Sequence, residues 1–423
     1  MQRDAKKMRL VVQKYGGVLL GSDDGRRQVA QRIAATASEG ARVVAVASAI
    51  GREGDPYATD TLMTLLADAD SSGDVDPRTL DLLLSTGEVI STTLMAHLLV
   101  RIGCPAVALT GGQAGILTTD EFNDARILSI NPTLLRHYLD RGFVVVVAGF
   151  QGITRDGEIT TLGRGGSDTT AVAIGAALGA DLVEIFKDVE GIMTADPKLV
   201  SGARPIRAIT YDEVSQMAAL GARVLHPRAA DIGREHGVRL VVKQVGSING
   251  GTIIVKGPEL GVPIIDGRPV IALAHLPDVV QLKVRRTAGE DQGRPLLALR
   301  SLAEHGISID LISLLPEMLA FTVQEDVVER ATGLLSTFGF DVDVSEPCAK
   351  VSIIGAGMRG RPGVMARVVN ALHRAGVEIL QTADSHTTIS CLVARGQMKD
   401  ALVALHDEFG LAEEVASERE SEG

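Results

Sequence analysis

The segment Leu10-Val11-Val12-Gln13-Lys14-Tyr15-Gly16-Gly17 runs a short apolar strand into a lysine and a pair of glycines. Further β-branched runs follow the same plan at Val43–Ala47, Ala106–Leu109, Phe143–Ala148, Leu182–Phe186 and Leu240–Lys243. Ala- and Leu-rich stretches with helical spacing separate them, among them Gly25–Ala37 and Thr169–Leu178. Continuous apolar strands alternating with helices predict an α/β fold: an open, mostly parallel sheet sandwiched by helices. Several of the runs end in small or glycine-rich residues: Lys14-Tyr15-Gly16-Gly17, Ser48-Ala49, Thr110-Gly111-Gly112 and Gly149-Phe150. These are the carboxyl ends of the strands, where open α/β sheets bind ligands.

The rhythm changes after Gly250-Gly251. Residues 257–269 are rich in Gly and Pro and read as a linker. A shorter unit then occurs twice. The first copy is strand Val279–Val284, helix Pro295–Glu304, strand Ser308–Ser313, strand Ala320–Val323 and helix Asp326–Thr337. The second is strand Ala349–Ile354, helix Pro362–Arg374, strand Glu378–Gln381, strand Ile389–Val393 and helix Met398–Glu408. A doubled β-α-β-β-α order is a ferredoxin-like repeat. The expected organisation is therefore a catalytic domain at 1–256, the linker at 257–269, and repeats at 270–346 and 347–423. A last strand near Ala412–Ser417 could return to the first repeat, and the acidic tail from Glu413 to Gly423 is expected to fray.

Composition narrows the function. With 423 residues, 45% hydrophobic, no Trp and few aromatics, the cores are built from Val, Leu, Ile and Ala. A formal net charge of −11 argues against nucleic acid or an anionic membrane as partner, so an anionic substrate needs a local nest of positive groups. Cys104, Cys348 and Cys391 are widely spaced with no CxxC, which fits a reduced, cytoplasmic setting. Met1–Leu10 is polar rather than signal-like, and no apolar run is read as a membrane span. The histidines show no metal spacing, so no metal ligands are assigned.

Two motifs point to phosphate chemistry. Gly16 and Gly17 let backbone N–H groups approach phosphate oxygens beside Lys14, although a Gly-Gly turn alone is more often only a turn. No Walker A pattern occurs. Gly163-Arg164-Gly165-Gly166-Ser167-Asp168-Thr169-Thr170 opens an Ala-rich helix, and glycines with an Arg at a helix entrance make an anion site. Ser85-Thr86-Gly87-Glu88 is read as opening the helix Val89–Val100, with Glu88 either a cap or a carboxylate for a substrate ammonium. Lys187-Asp188 and Thr194-Ala195-Asp196-Pro197-Lys198 are acidic turns after a buried strand, equally readable as nucleotide contacts or plain turns. Gly355-Ala356-Gly357-Met358-Arg359-Gly360 mimics a dinucleotide fingerprint, but too little chain follows it for that fold. His226-Pro227-Arg228 reads as a structural loop, with Arg228 close to the site.

In this order the motifs resemble the aspartate kinase family over essentially the whole chain. Its elements are KYGG at 14–17, SA at 48–49, TGE at 86–88, GRGGSDTTA at 163–171, KDVEGIMTADP at 187–197, GARVLHPR at 221–228 and GGTII at 250–254. The repeats resemble the tandem ACT domains of that family. Gly51–Asp60 and Ala383–Thr388 resemble its diaminopimelate-sensitive isoform. The resemblance implies ATP with Mg²⁺ phosphorylating L-aspartate. Lys14 and Asp168 would be catalytic, with Lys14 stabilising the transferring phosphoryl and Asp168 orienting Lys14. ATP would also meet Gly16, Gly17, Arg164, Gly165, Gly166, Ser167, Lys187, Asp188, Lys198 and Arg223. Aspartate would meet Ser48, Asp55, Glu88, Arg164 and Ser167. An amino-acid effector (lysine, threonine or meso-diaminopimelate) would bind near Asp310, Gln381 and Thr382, and the repeats would build a homodimer or homotetramer. Val18 and Leu19 stand where that family usually carries hydroxyl residues. The alternative reading is therefore a regulatory homologue that binds amino acids without turnover.

Overall fold

The computed structural model describes residues 8–69, 75–222, 225–247, 250–257, 269–285, 294–355, 358 and 361–412. Arg223, nearly all of the expected linker, most of the Gly355–Gly360 motif and the expected last strand beyond Ala412 lie outside the described residues. The chain forms two compact units. The first takes in residues up to Ile192, Pro205–Ser215 and the described residues from Leu225 to Gly257. The second takes in Met193–Arg204, Gln216–Ala222 and the described residues from Pro269 on.

The first unit contains strands β1 (Leu10–Tyr15), β2 (Arg42–Ala47), β3 (Ala106–Leu109), β4 (Ile116–Thr118), β5 (Ile127–Ile130), β6 (Val144–Ala148), β7 (Gln151–Ile153), β8 (Ile159–Thr161), β9 (Leu182–Lys187), β10 (Ala208–Thr210), β11 (Leu240–Gln244) and β12 (Thr252–Val255). Eight of them form one sheet in the order β10-β12-β11-β9-β1-β2-β6-β3. Neighbours are parallel except the β11–β12 pair. A smaller sheet, β5-β4-β7-β8, lies off this one. The expected α/β sandwich is therefore present, and every strand read from the apolar runs lies in the large sheet. The helices are α1 (Gly17–Leu20), α2 (Asp23–Ser38), α3 (Thr59–Ala69), α4 (Pro77–Arg101), α5 (Thr133–Asp140), α6 (Gly166–Leu178), α7 (Tyr211–Ala219), of which only the residues up to Ser215 count with this unit, and α8 (Pro227–His236).

Strand alternation decides which side chain meets which helix. On one face, Tyr15, Val43, Ala45, Ala47, Val144 and Val146 pack with Val29 and Ile33 of α2 and Met95 and Leu99 of α4. Fully burying one such Leu or Met contributes roughly 1.5–3 kcal/mol. Lys14 projects from the opposite face of β1, where α6 lies.

Helix α4 corrects the reading of Glu88. The helix starts at Pro77, where the Asp76 carboxylate accepts from the Thr79 N–H at 2.9 Å, rather than at Ser85. Pro at the first helical turn loses no needed donor, and Asp is a strong N-cap. Ser85, Gly87 and Glu88 are buried in mid-helix. A Cβ at Gly87 would lie 3.0 Å from Ala49 Cβ and 3.1 Å from the Tyr57 carbonyl, so the small residues allow close packing rather than marking a cap. By length and composition α4 is also long and apolar enough to cross a membrane, contrary to the reading of the runs; here it packs on β3 and β6.

The second unit contains β13 (Ala272–Arg285), α9 (Arg294–Glu304), β14 (Asp310–Leu315), β15 (Met318–Gln324), α10 (Val328–Thr337), β16 (Val342–Val344), β17 (Cys348–Ile354), α11 (Val364–Arg374), β18 (Gln381–Asp384), β19 (Thr388–Ala394) and α12 (Met398–Glu408). One antiparallel sheet runs β14-β15-β13-β17-β19-β18, with β16 on β13. The long β13 serves both repeats. Val279–Arg285 pairs with β15 and β16, and Ala272–Leu276 pairs with β17. The second repeat thus takes a strand from chain that precedes the first. Strand β18 starts at Gln381 rather than ending there, three residues later than the sequence reading.

Candidate active site

The carboxyl ends of β1 and β9 lie side by side, in register from Val11↔Leu182 to Tyr15↔Phe186. Lys14 and Lys187 reach from these neighbours to one carboxylate, Asp168 in the first turn of α6. Lys14 Nζ is 2.7 Å from Asp168 Oδ1, and Lys187 Nζ is 3.6 Å from Oδ2. Burial opposes ionisation of Asp168. The charge of Lys14, then that of Lys187, outweighs it and holds the carboxyl at about 2. Burial, together with the nearby Lys14 charge, pulls the Lys187 ammonium below its usual range, although Asp168 works against both. Two cations on one anion leave a net positive nest, which the acidic chain needs locally to hold a polyphosphate.

The loops around this nest are closed by backbone. Gly51 N–H donates to the Gly17 carbonyl at 3.0 Å and Ser48 N–H to the Tyr15 carbonyl at 3.2 Å. A Cβ at Gly17 would stand 2.3 Å from the Ala49 carbonyl oxygen, so this approach requires glycine. Gly16, in extended conformation, has no such crowding. Across the loop, Ala49 N–H donates to Glu88 Oε1 at 3.0 Å, while Glu88 Oε2 is buried with no hydrogen-bond partner. Burial pushes the Glu88 carboxyl up to about 8, against the Ala49 hydrogen bond and the charge of Lys14. Ser91, one turn along α4, donates to the Ser48 carbonyl at 2.6 Å and fixes the residue expected to meet aspartate.

The Gly163–Ser167 segment lines the entrance to α6. Gly163 and Gly165 both have positive φ, at 72° and 74°. The His226 ring fills the space a Gly165 side chain would need, its Cδ2 2.5 Å from an ideal Cβ. Burial, then the Arg228 charge, lowers the His226 pKa and favours a neutral ring. Ser167 is buried against Gly149, and the Phe150 N–H donates to Thr170 Oγ1 at 3.1 Å. Arg164 points outward. Its side chain is 95% exposed, and Nη2 is 3.9 Å from Asp60.

The sequence-predicted residues thus divide. Lys14, Gly16, Gly17, Ser48, Glu88, Ser167, Asp168 and Lys187 gather at one end of the large sheet, and Arg164, just before α6, extends into solvent. Asp188, at the end of β9, is 3.8 Å from Arg52. Asp55 is turned into its own loop, accepting from the Arg52 N–H at 2.7 Å, and Gly51 leaves room for it. Lys198 is exposed on Met193–Arg204, a segment that packs within the second unit. Arg228 was read as close to the site but given no role, and Ser91 and His226 were not singled out; the three-residue step from Glu88 to Ser91 on a helix could have flagged Ser91.

In the second unit, Asp310, Gln381 and Thr382 occupy a joint between the repeats. Gln381 Nε2 donates to Ser313 Oγ at 2.8 Å and to the Leu311 carbonyl, and its Oε1 accepts from Gln281 at 2.7 Å. Asp310 is ion-paired with buried Lys350, and the adjoining Leu311 has a φ of 47°. Thr382 is exposed.

The amino acid kinase family model matches residues 9–244, and an ACT domain model matches residues 343–407. The curated Aspartokinase 1 of Bacillus subtilis is 42% identical over 407 residues, spanning 96% of this chain and 100% of that one. Crystal structures of E. coli aspartokinase III, one with aspartate and ADP and one with lysine and aspartate, each superpose with a TM-score of 0.74 at 25% identity. Each match covers 95% of this chain and 99% of the other.

Proposed function

Given that the chain belongs to the amino acid kinase family and, within it, to the aspartokinases, we propose that Lys14, Asp168 and Lys187 form the phosphoryl end of its site and Glu88, Ser48 and Arg164 the aspartate end. The enzyme is an aspartate kinase. The reaction joins an aspartate side-chain oxygen to the γ-phosphorus of ATP and breaks the bond to the β,γ-bridging oxygen, releasing ADP and 4-phospho-L-aspartate. The nucleophile is already ionised at neutral pH, so no proton need be removed and no catalytic histidine is required. Catalysis then rests on in-line positioning and on charge neutralisation around the transferring group.

The observation that carries this reading is Asp168 held between two lysines of adjacent strands at 2.7 and 3.6 Å. Asp168 aims Lys14 without neutralising the nest, and Lys187, on the neighbouring strand, suits the phosphate tail. The Gly16 and Gly17 amides lie at the same strand end. Glu88, with one buried oxygen unpartnered, suits the substrate ammonium, and exposed Arg164 suits the α-carboxylate. Gly165, Gly166, Ser167, Asp188 and Arg223 complete the nucleotide contacts in this reading, and Lys198, in the second unit, is left out of it. Mg²⁺ arrives with ATP and is held by phosphate oxygens and water, its usual mode in phosphoryl transfer. Trapping the product with hydroxylamine tests the assignment: L-aspartate should give hydroxamate, and equal yield from L-glutamate would contradict it.

The second unit is proposed as the regulatory half. An amino-acid end product would bind at the Asp310–Gln381–Thr382 joint and shift the enzyme between active and inactive forms. The lysine complex of E. coli aspartokinase III supports an amino acid as effector. Between lysine, threonine and meso-diaminopimelate, the Gly51–Asp60 and Ala383–Thr388 segments favour the last. Assembly through these repeats into a homodimer or homotetramer, a cytoplasmic location and a place at the first step of lysine, threonine, methionine and diaminopimelate synthesis belong to the same reading.

A further inference from the structure

The Gly163–Gly166 loop is held by a clamp that none of the roles above includes. Arg228, at the start of α8, is part-buried, and its Nη2 meets both carboxylate oxygens of Asp124, at 2.7 and 2.8 Å. Its Nη1 donates to the carbonyls of Asp124, Ala125 and Leu162 at 3.4, 3.2 and 3.3 Å. Leu162 is the residue before Gly163. On the other side, buried Asp81 of α4 accepts from the Asn123 and Thr161 N–H groups at 3.0 and 2.9 Å and from the Thr161 hydroxyl at 2.5 Å. Asn123 itself has a positive φ of 67°. The two strips of chain, 123–125 and 161–162, are therefore pinned from both sides.

What leaves this pinned base is a short arm. Arg164 sits between two glycines in left-handed conformation, and the second of them rests on the His226 ring. The first has Asp124 beside it: a Cβ at Gly163 would lie 3.0 Å from Asp124 Oδ1. Arg228 thus grips the carbonyl immediately before the arm and the carboxylate alongside its first glycine.

We propose that Arg228 is a positioning residue for substrate: it fixes the base of the arm that carries Arg164, so that the exposed guanidinium is presented to the α-carboxylate of aspartate. This rests on the reading of Arg164 given above. Arginine suits the task because its two terminal nitrogens divide the work, Nη2 serving the Asp124 carboxylate and Nη1 the carbonyls, a span that the single nitrogen of a lysine ammonium does not offer. A group that binds substrate and transition state alike changes KM more than kcat when it is misplaced.

The test is steady-state kinetics of the full chain at saturating ATP, with unfolding temperature measured in parallel. Arg228→Lys is expected to raise the KM for aspartate about tenfold or more with kcat within about threefold of wild type. Asp124→Asn, which keeps the carbonyl bonds of Arg228, should raise it less. Arg164→Ala should show the same split, and adding Arg228→Lys to it should cost little more. An unchanged aspartate KM in Arg228→Lys overturns the inference, as does an equal fall in kcat alone. Should that variant not fold, an unchanged KM in Asp124→Asn overturns it. If Arg164→Ala itself leaves KM unchanged, the reading of Arg164 fails instead.

Discussion

Glu88 keeps one carboxylate oxygen on the Ala49 amide and the other buried without a partner, deep in a helix packed against the sheet. With its pKa pushed up to about 8, the group is mostly protonated at neutral pH before substrate binds. An ammonium placed beside it favours the ionised form, so aspartate binding should release a proton. Affinity for aspartate should therefore improve as pH rises toward about 8, and Glu88→Gln should bind weakly with a flat profile. Calorimetric titration in buffers of different ionisation enthalpy measures both; equal proton release by wild type and variant would refute the assignment. Folding carries the opposite sign. A carboxyl whose pKa is raised on folding stabilises the ligand-free protein fully below its unfolded value, about 4.5, and that contribution fades as pH rises through about 8. The unfolding temperature of wild type should fall relative to Glu88→Gln across that window. Asp168, held at about 2, stays ionised throughout and adds no slope there.

At the scale of elements, the loop β1–α1 and the loop after β2 lie so close that Gly17 cannot carry a side chain. Gly17→Ala should destabilise the protein by about 2 kcal/mol or more and lower turnover, measured by denaturant unfolding beside the assay. Gly16→Ala, with no atom nearer than 3.9 Å to its Cβ, should fold normally. The contrast between these adjacent glycines was not legible in the sequence, because it depends on Ala49, more than thirty residues away. The large sheet was legible, since strands such as Val144–Ala148, buried on both faces, leave continuous apolar runs. The small sheet was not: strands of three or four residues such as Ile116–Thr118 carry no period to read. Helix α4 was half read, because Ser85-Thr86-Gly87-Glu88 has the residues of a helix start, and only packing shows that they allow close approach instead. Likewise the glycine-rich settings of Lys14 and Asp168 drew attention to both, whereas Arg228, read only as close to the site, meets backbone carbonyls that its sequence context does not show.

At the scale of the whole molecule, the proposal assigns phosphoryl chemistry to the first unit and effector binding to the joint between the repeats in the second. Gln381 bonds Gln281, Leu311 and Ser313 across that joint. Gln381→Ala should raise the effector concentration for half-inhibition by about tenfold or more with basal turnover within about twofold, as expected for loss of a coupling contact. Inhibition curves for lysine, threonine and meso-diaminopimelate on both proteins check this, and an unchanged curve for the inhibiting amino acid would place the effector elsewhere. The proposed assignment of the site depends on turnover at the Lys14–Asp168–Lys187 nest. The most direct test is the rate of hydroxylamine-trapped acyl phosphate from ATP, Mg²⁺ and L-aspartate, in the wild type and in Lys14→Ala. An aspartate-dependent rate that falls about a thousandfold or more in the variant is expected; no rate in the wild type, or one that survives loss of Lys14, would contradict it.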